Sequence, residues 1–213
     1  MNSIEFHNTL KKFFRFTRDP RRDNLPSLAK SRGRWGVHNR YGRNALAKVM
    51  ADMDLRKGAE IGTHLGESAK IWCDENPNLF LTCIDPYLSY PARRSQPAQD
   101  NTYEKACENL QGYNVKVVRG SSLDVVDDFE NGSLDFIYID GDHEFDPVVQ
   151  DLVRWAPKVR RGGVIALHDY CVMAGGGVIQ AIDAYTHCHR IDSWYVTADS
   201  CPTAFWQKGS ERA

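Results

Sequence analysis

The sequence predicts a doubly wound α/β domain on a mostly parallel sheet, and three observations carry that prediction. From Asn44 onward, short apolar runs alternate with stretches of helical period, the pattern of strands joined by crossover helices. The run LDFIYI at 134–139 is apolar on both faces, as a strand covered by helices on either side must be. Polar, chemically capable residues follow five successive strands, where an open α/β sheet binds its ligands.

In chain order the elements are a helix near 44–53, a strand at 59–61, a helix over 67–76 and a strand at 79–84. A helix near 103–110, a strand at 115–118, a short helix around 123–129 and the strand at 134–139 follow. Pro147 suits the first turn of the next helix, with Asp146 as its cap; Val148, Leu152 and Trp155 recur near helical spacing until Pro157 stops it. A strand at 164–167, a helix over 178–187 and β-prone segments at 194–197 and 204–206 complete the pattern. Residues 1–18 read as a short amphipathic helix with Ile4, Leu10, Phe13, Phe14 and Phe16 as its apolar positions. The stretch 19–42, rich in Pro, Gly and Arg, has no period and reads as an arm. The expected organisation is a basic N-terminal helix and arm over 1–43 and one ligand-binding domain over 44–213.

Composition excludes several classes. With 42% hydrophobic and 26% charged residues, the 213-residue chain is neither disordered nor of low complexity. No apolar run approaches the ~18 residues of a membrane span, and the opening lacks a signal peptide's apolar core, so the expectation is a cytoplasmic protein without membrane contact. Six cysteines without a C-x-x-C pair suggest reduced thiols rather than a zinc ribbon or a disulfide scaffold. The net charge of −1 is unevenly spread: residues 11–43 hold 11 Lys or Arg against Asp19 and Asp23, so a segment of +9 precedes a body of −10.

The strand ends carry EIGTHLGES (60–68), DPY (85–87), GSS (120–122), DGDHE (140–144) and HDY (168–170). Gly62 and Gly66 bracket a tight turn that lets a ligand approach the backbone, and Asp85, ending the next strand, is placed to bind both ribose hydroxyls. The spacing is G-x-x-x-G rather than G-x-G-x-x-G, which favours a nucleoside without phosphates over a dinucleotide. Glu60 suits a cationic amino-acid moiety better than a phosphate.

On these motifs, and on FIYIDGDHEFDPVVQDLVRWAPKVRRGGVIALHDY, the chain resembles the class I S-adenosylmethionine-dependent methyltransferases, and within them the group of small-molecule and sugar O-methyltransferases. The resemblance covers 44–208 and implies a Rossmann-like fold: a seven-stranded, mostly parallel sheet with an antiparallel C-terminal strand. It implies that Glu60, Gly62, Thr63, Gly66 and Ser68 hold the methionine and ribose side of S-adenosyl-L-methionine, Asp85 the ribose hydroxyls, and Ser121 with Ser122 the adenine region, with Asp140 also against the cofactor. The implied reaction is methyl transfer to a hydroxyl of a sugar or another small polar acceptor.

Asp140, His168 and Asp169 end adjacent strands, and an oxygen-rich set with one imidazole suits Mg²⁺ or Mn²⁺. The metal-dependent members of the resembled group carry an acid or amide where this chain has His168; the other reading is that His168 and Asp169 bond each other and the loop. A neutral hydroxyl is a poor nucleophile, so transfer needs a metal or a general base, and His143 or Asp142 is the candidate base. The other reading of Asp142 and His143 is that they shape the turn before the next helix. Loops 88–101 and 171–178 should border the acceptor pocket, where Arg93 and Arg94 are candidates for an anionic acceptor. The basic arm supports a different class, an RNA-binding protein or RNA methyltransferase, with Phe13, Phe14, Trp35 or Tyr41 stacking on bases. It equally suits folding over the acceptor site or a homo-oligomer contact.

Overall fold

The LDFIYI run forms β6 (Leu134–Ile139) at the centre of the sheet, between β3 (Lys57–Ile61) and β7 (Val159–Leu167). The structure, a computed structural model, describes residues 3–17, 34–38, 42–89, 95–172, 174–191, 193–197 and 201–209. With β4 (Phe80–Asp85), β5 (Val115–Arg119), β8 (Trp194–Thr197) and β9 (Ala204–Gln207), the expected seven strands stand in the order β8-β9-β7-β6-β3-β4-β5. β9 runs antiparallel to both β7 and β8, while β3, β4, β5, β6 and β7 are mutually parallel.

Two further strands extend the β8 edge. β2 (Arg34–His38) pairs parallel with β8, and β1 (Arg15–Thr17) pairs antiparallel with β2, giving nine strands among the described residues. Sequence pattern did not announce them: β1 falls in residues 1–18, read as a helix that in fact ends at Phe13, and the five residues of β2 lie in the aperiodic arm. Their pairing rests on backbone hydrogen bonds.

Helices cover both faces. α1 (Ser3–Phe13), α2 (Gly42–Asp52) and α3 (Glu67–Glu75) lie on the side of Phe136 and Tyr138, where Leu10, Leu46 and Trp72 are buried. α6 (Phe145–Trp155) and α7 (Gly177–Cys188) cover the side of Ile137 and Ile139, with Trp155, Ile179, Trp194 and Trp206 in one core. This alternation along β6 is the period of two that a doubly covered strand imposes. Phe6, Leu10 and Phe14 of the N-terminal segment are buried, and the Phe14 ring lies 6.0 Å from that of Phe205. Phe14 is therefore core and not an exposed platform for a base. Trp35's side chain, Tyr41, Arg93, Arg94 and Met173 fall outside what is described.

Local chemistry sets several boundaries. α4 (Gln96–Asn109) begins ahead of the expected 103, with Pro97 in its first turn where a missing N–H costs nothing. α6 starts at Phe145 with Glu144 at its N-cap instead of Asp146, and Pro147 still sits in its first turn. α5 (Ser122–Val125) is a single turn, extended by a 3-10 turn over Val126–Asp128. At the amino ends of the strands, Asp135 accepts the Arg56 and Lys57 N–H groups at 2.7 and 2.8 Å and the Arg160 Nε–H at 2.6 Å, bracing β3, β6 and β7. No helix among the described residues is long and apolar enough to cross a membrane.

Candidate active site

The opposite, carboxyl ends of β3, β4 and β6 open onto a cleft of about 440 Å³. Gly62, Asp85, Ser121, Ser122, Asp140 and Asp142, all singled out in the sequence, line it. Gly62 has φ +87° and an N–H bonded to the Ile84 carbonyl at 2.8 Å, and a Cβ there would strike the Asp140 carbonyl oxygen. Only glycine permits both that backbone angle and that approach of the β3 turn to β6. Gly66, at φ +77°, takes the N-cap position of α3.

Asp85 is held by two turns: its carboxylate accepts the His64 N–H and the Tyr87 N–H, each at 2.9 Å, while the Tyr87 hydroxyl donates to the His64 carbonyl at 3.1 Å. A carboxylate has about four acceptor positions, so this one keeps capacity for vicinal hydroxyls. Ser121 caps α5 by accepting the Leu123 N–H at 3.3 Å, and Ser122 donates to Asp151 at 2.5 Å. Asp151 and Tyr87 also line the cleft and were missed in the sequence: Asp151 lies inside a helix and reaches the site only through α6 packing.

Behind the cleft, Glu60 is 1% exposed. Its Oε1 accepts the Trp72 Nε1–H at 3.3 Å, and its Oε2 has no hydrogen-bond partner among the described residues. Burial first, then the Asp140 carboxylate, push Glu60 up to about 8, against the opposing pull of Trp72, Cys83 and Arg43. Thr63 is also buried and its hydroxyl has no hydrogen-bond partner among the described residues, while Ser68 accepts an N–H from Arg43 at 2.5 Å.

The ends of β6 and β7 bring together Asp140, His143, His168 and Asp169. His168 Nδ1 lies 3.2 Å from both Asp140 Oδ1 and Asp169 Oδ2, and His143 Nε2 lies 2.8 Å from Asp169 Oδ2. Burial disfavours charge on His168, but the hydrogen bonds to Asp140 and Asp169 outweigh it and raise the imidazole to about 9. Burial likewise opposes ionisation of Asp169, yet its bonds to His143 and His168 hold it well below the usual carboxylate range. His143 is raised by its bond to Asp169, against burial and aided by the charges of Asp140 and Asp142. Asp142 does not join the cluster; it accepts the Glu144 N–H at 2.9 Å, shaping the turn into α6. Ligand atoms of Asp140, His143 and Asp169 lie within 4.8 Å of one another. His168, expected as a ligand, instead faces both carboxylates through Nδ1 and buries an Nε2 without a partner.

A doubly wound sheet with this strand order, a glycine turn after β3 and an acid ending β4 defines a Rossmann-like fold. The chain belongs to a methyltransferase-domain family, whose model matches residues 59–170, from the strand that carries Glu60 through Asp169. A catechol O-methyltransferase of Mycobacterium tuberculosis is 26% identical over 139 residues, 65% of this chain and 59% of that protein. The "Uncharacterized protein R132" of Acanthamoeba polyphaga mimivirus is 32% identical over 130 residues, 59% of this chain and 56% of its own. The chain thus spans little more than half the length of these curated relatives. An O-methyltransferase from Bacillus cereus, solved in complex with SAH, shares the fold with a TM-score of 0.60 at 17% identity, over 98% of this chain and 92% of its own.

Proposed function

We propose that this domain transfers a methyl group from S-adenosyl-L-methionine to a hydroxyl of a small polar acceptor, a sugar or a diol-bearing ring. The observation that supports this best is the placement of Asp85 and the Asp140–His143–Asp169 cluster at neighbouring strand ends around one cleft. When bound, the cofactor supplies an electrophilic methyl on a sulfonium. Asp85 takes the ribose hydroxyls, Ser121 and Ser122 border the adenine, and Glu60, Gly62, Thr63, Gly66 and Ser68 surround the methionine end. His143, half-buried with its Nε2 2.8 Å from Asp169 Oδ2, is in its neutral form the general base: it receives the acceptor's proton as the oxygen–carbon bond forms and the carbon–sulfur bond breaks. Asp169 orients that imidazole and stabilises its charged form, while His168 offsets the charge of the two carboxylates.

The same acids bear on a metal. Two carboxylates and an imidazole within 4.8 Å are a donor set that fits Mg²⁺ or Mn²⁺; Asp140, His143 and Asp169 would hold the ion, which would supply acidification of a hydroxyl. His143 cannot be ligand and base together, so the metal dependence decides its role. Titration calorimetry with S-adenosylhomocysteine, with and without Mg²⁺ or Mn²⁺, on wild type and Asp169→Ala tests the reading. Micromolar binding is expected, and a metal requirement that disappears in Asp169→Ala assigns the ion. A folded protein that binds no S-adenosylhomocysteine under any of these conditions overturns the proposal.

A further inference from the structure

Two thiols stand beyond the carboxyl end of β7 that neither the cofactor nor the acceptor reading uses. Cys171 follows the HDY turn and is half-buried; Cys201, just before β9, is exposed. β9 runs antiparallel to β7 with Leu167 opposite Ala204, so the exit of one strand lies beside the entry of the other. Past the sheet the two segments stay joined, because the Tyr170 N–H donates to the Pro202 carbonyl at 2.9 Å. Cys171 and Cys201 flank that bond, one on each segment. In an antiparallel pair such neighbours face each other with Cα atoms about 4.5 Å apart, within the span of about 4.4–6.8 Å that a disulfide bridges. The Cys171 thiol is pushed up by burial first, then by the Asp169 carboxylate and by Cys201, in keeping with two thiols near enough to act on each other.

Both segments are held in place. Tyr170 is buried, its ring 5.6 Å from that of Trp194 and its hydroxyl donating to Asp183 at 2.8 Å. Thr203, next to Pro202, donates its N–H to the Thr197 hydroxyl at 2.7 Å and accepts the Thr197 N–H at 2.9 Å. The other cysteines are placed differently: Cys73 and Cys83 are closed off by burial, and Cys107 sits on α4, the crossover to the far edge strand β5. Cys188 ends α7, about 18 Å along the helix from its start. We infer that Cys171 and Cys201 are a reversible redox couple, reduced at rest and closed by a disulfide oxidant such as glutathione disulfide into a bridge that locks the exit of β7 beside Asp169. The exposed Cys201 sulfur attacks the oxidant, whose S–S bond breaks and releases one glutathione. The Cys171 sulfur then attacks the mixed disulfide at Cys201 and releases the second. One disulfide forms in the protein, one is lost from the oxidant, and the two protein thiol protons end on the two glutathiones. The bridge closes a loop over 171–201 that contains α7 and β8 and begins two residues after Asp169, so oxidation reaches the segment that carries the acid of the proposed site. The couple does not depend on the methyltransferase reading.

The test treats the full chain with glutathione disulfide, alkylates the remaining thiols and maps the peptides by mass spectrometry, on wild type, Cys171→Ser and Cys201→Ser. Wild type is expected to lose two of its six thiols, to yield Cys171 and Cys201 in one cross-linked peptide pair, and to recover both thiols in dithiothreitol. Cys171→Ser should stop with glutathione on Cys201, and Cys201→Ser should form no bridge. By circular dichroism, bridged wild type should unfold about 5–10 °C above the reduced protein, the rise that closing a loop of this length brings. Wild type that stops at the mixed disulfide, stays fully reduced or pairs either thiol with another cysteine overturns the inference. So does a bridged protein that unfolds no later than the reduced one. These readouts on wild type decide the matter even where a serine variant fails to fold.

Discussion

The two ends of the sheet use the same kinds of residue to opposite effect. At the amino ends, Asp135 has three protein donors between 2.6 and 2.8 Å and sits between β3, β6 and β7 as a finished brace. At the carboxyl ends, Glu60 Oε2 and His168 Nε2 are buried without partners among the described residues, His168 is raised to about 9 and Asp169 is held low. An acid that the protein satisfies completely is structural; acids and imidazoles that it leaves incomplete or forces into unusual protonation states are poised for a ligand or a proton. Asp85 stands between these cases, fixed by two backbone amides and still open to the cleft.

The largest break in this comparison is expected at His143. Replacing it with Ala should slow methyl transfer by about 10²- to 10⁴-fold, the usual range for a general base, with little change in S-adenosylhomocysteine affinity. The measurement is turnover against any hydroxyl compound, from a panel of sugars and diols, that wild type methylates. An unchanged rate would remove His143 from the chemistry.

The next effect is on stability. Glu60 is raised from 4.5 to about 8, so the folded state keeps a proton that the unfolded chain has released. Its stabilising contribution is therefore complete below pH 4.5 and lost as pH rises through about 8. His168, raised from 6.5 to about 9, acts in the same direction over a higher window. Asp169 acts oppositely, its contribution being lost only as pH falls below 3.8. Glu60→Gln should remove the decline between pH 4.5 and 6.5, where Glu60 changes and His168 does not, and leave the variant more stable than wild type near pH 8 by on the order of 3 kcal/mol. Denaturant unfolding across that range checks it; parallel curves for the two proteins would show Glu60 to be ionised at neutral pH.

Asp85→Ala should weaken S-adenosylhomocysteine by about 10- to 100-fold, since it removes a charged acceptor for both ribose hydroxyls and loosens two turns. Calorimetry with 2′-deoxy and 3′-deoxy forms of the ligand sharpens this: each should lose affinity on wild type and little further on the variant.

Much of this contrast was legible in the sequence because polar residues after apolar strands are local signals. The β6 run, the Gly62–Gly66 turn and Asp85 each announce themselves within a few positions. Pairings across the fold do not. That His143 meets Asp169, 26 positions later, and that Arg43 reaches Ser68 depend on how β6, β7, α2 and α3 pack. The β1 and β2 strands escaped notice because backbone pairing at a sheet edge leaves no mark on a short stretch: Arg15–Thr17 read as the end of a helix and Arg34–His38 as part of an aperiodic arm. Asp135 was passed over for the converse reason: inside the LDFIYI run it reads as one polar interruption, and its three donors come from two other strands and the residue before one of them.

Asp135 supplies the smallest and most discriminating change. Asp135→Ala leaves the Arg56 and Lys57 N–H groups and the Arg160 guanidinium without their acceptor at the amino ends of β3, β6 and β7. These groups are partly solvent-accessible, so water replaces much of what is lost, and the cost should be about 1–2 kcal/mol in denaturant unfolding. Because the site lies at the other end of the strands, S-adenosylhomocysteine affinity should stay within about twofold of wild type, as for sites without shared partners. A loss of ligand affinity comparable to that of Asp85→Ala would mean that the brace sets the spacing of the strand ends, and the two ends of the sheet would then have to be treated as one coupled unit.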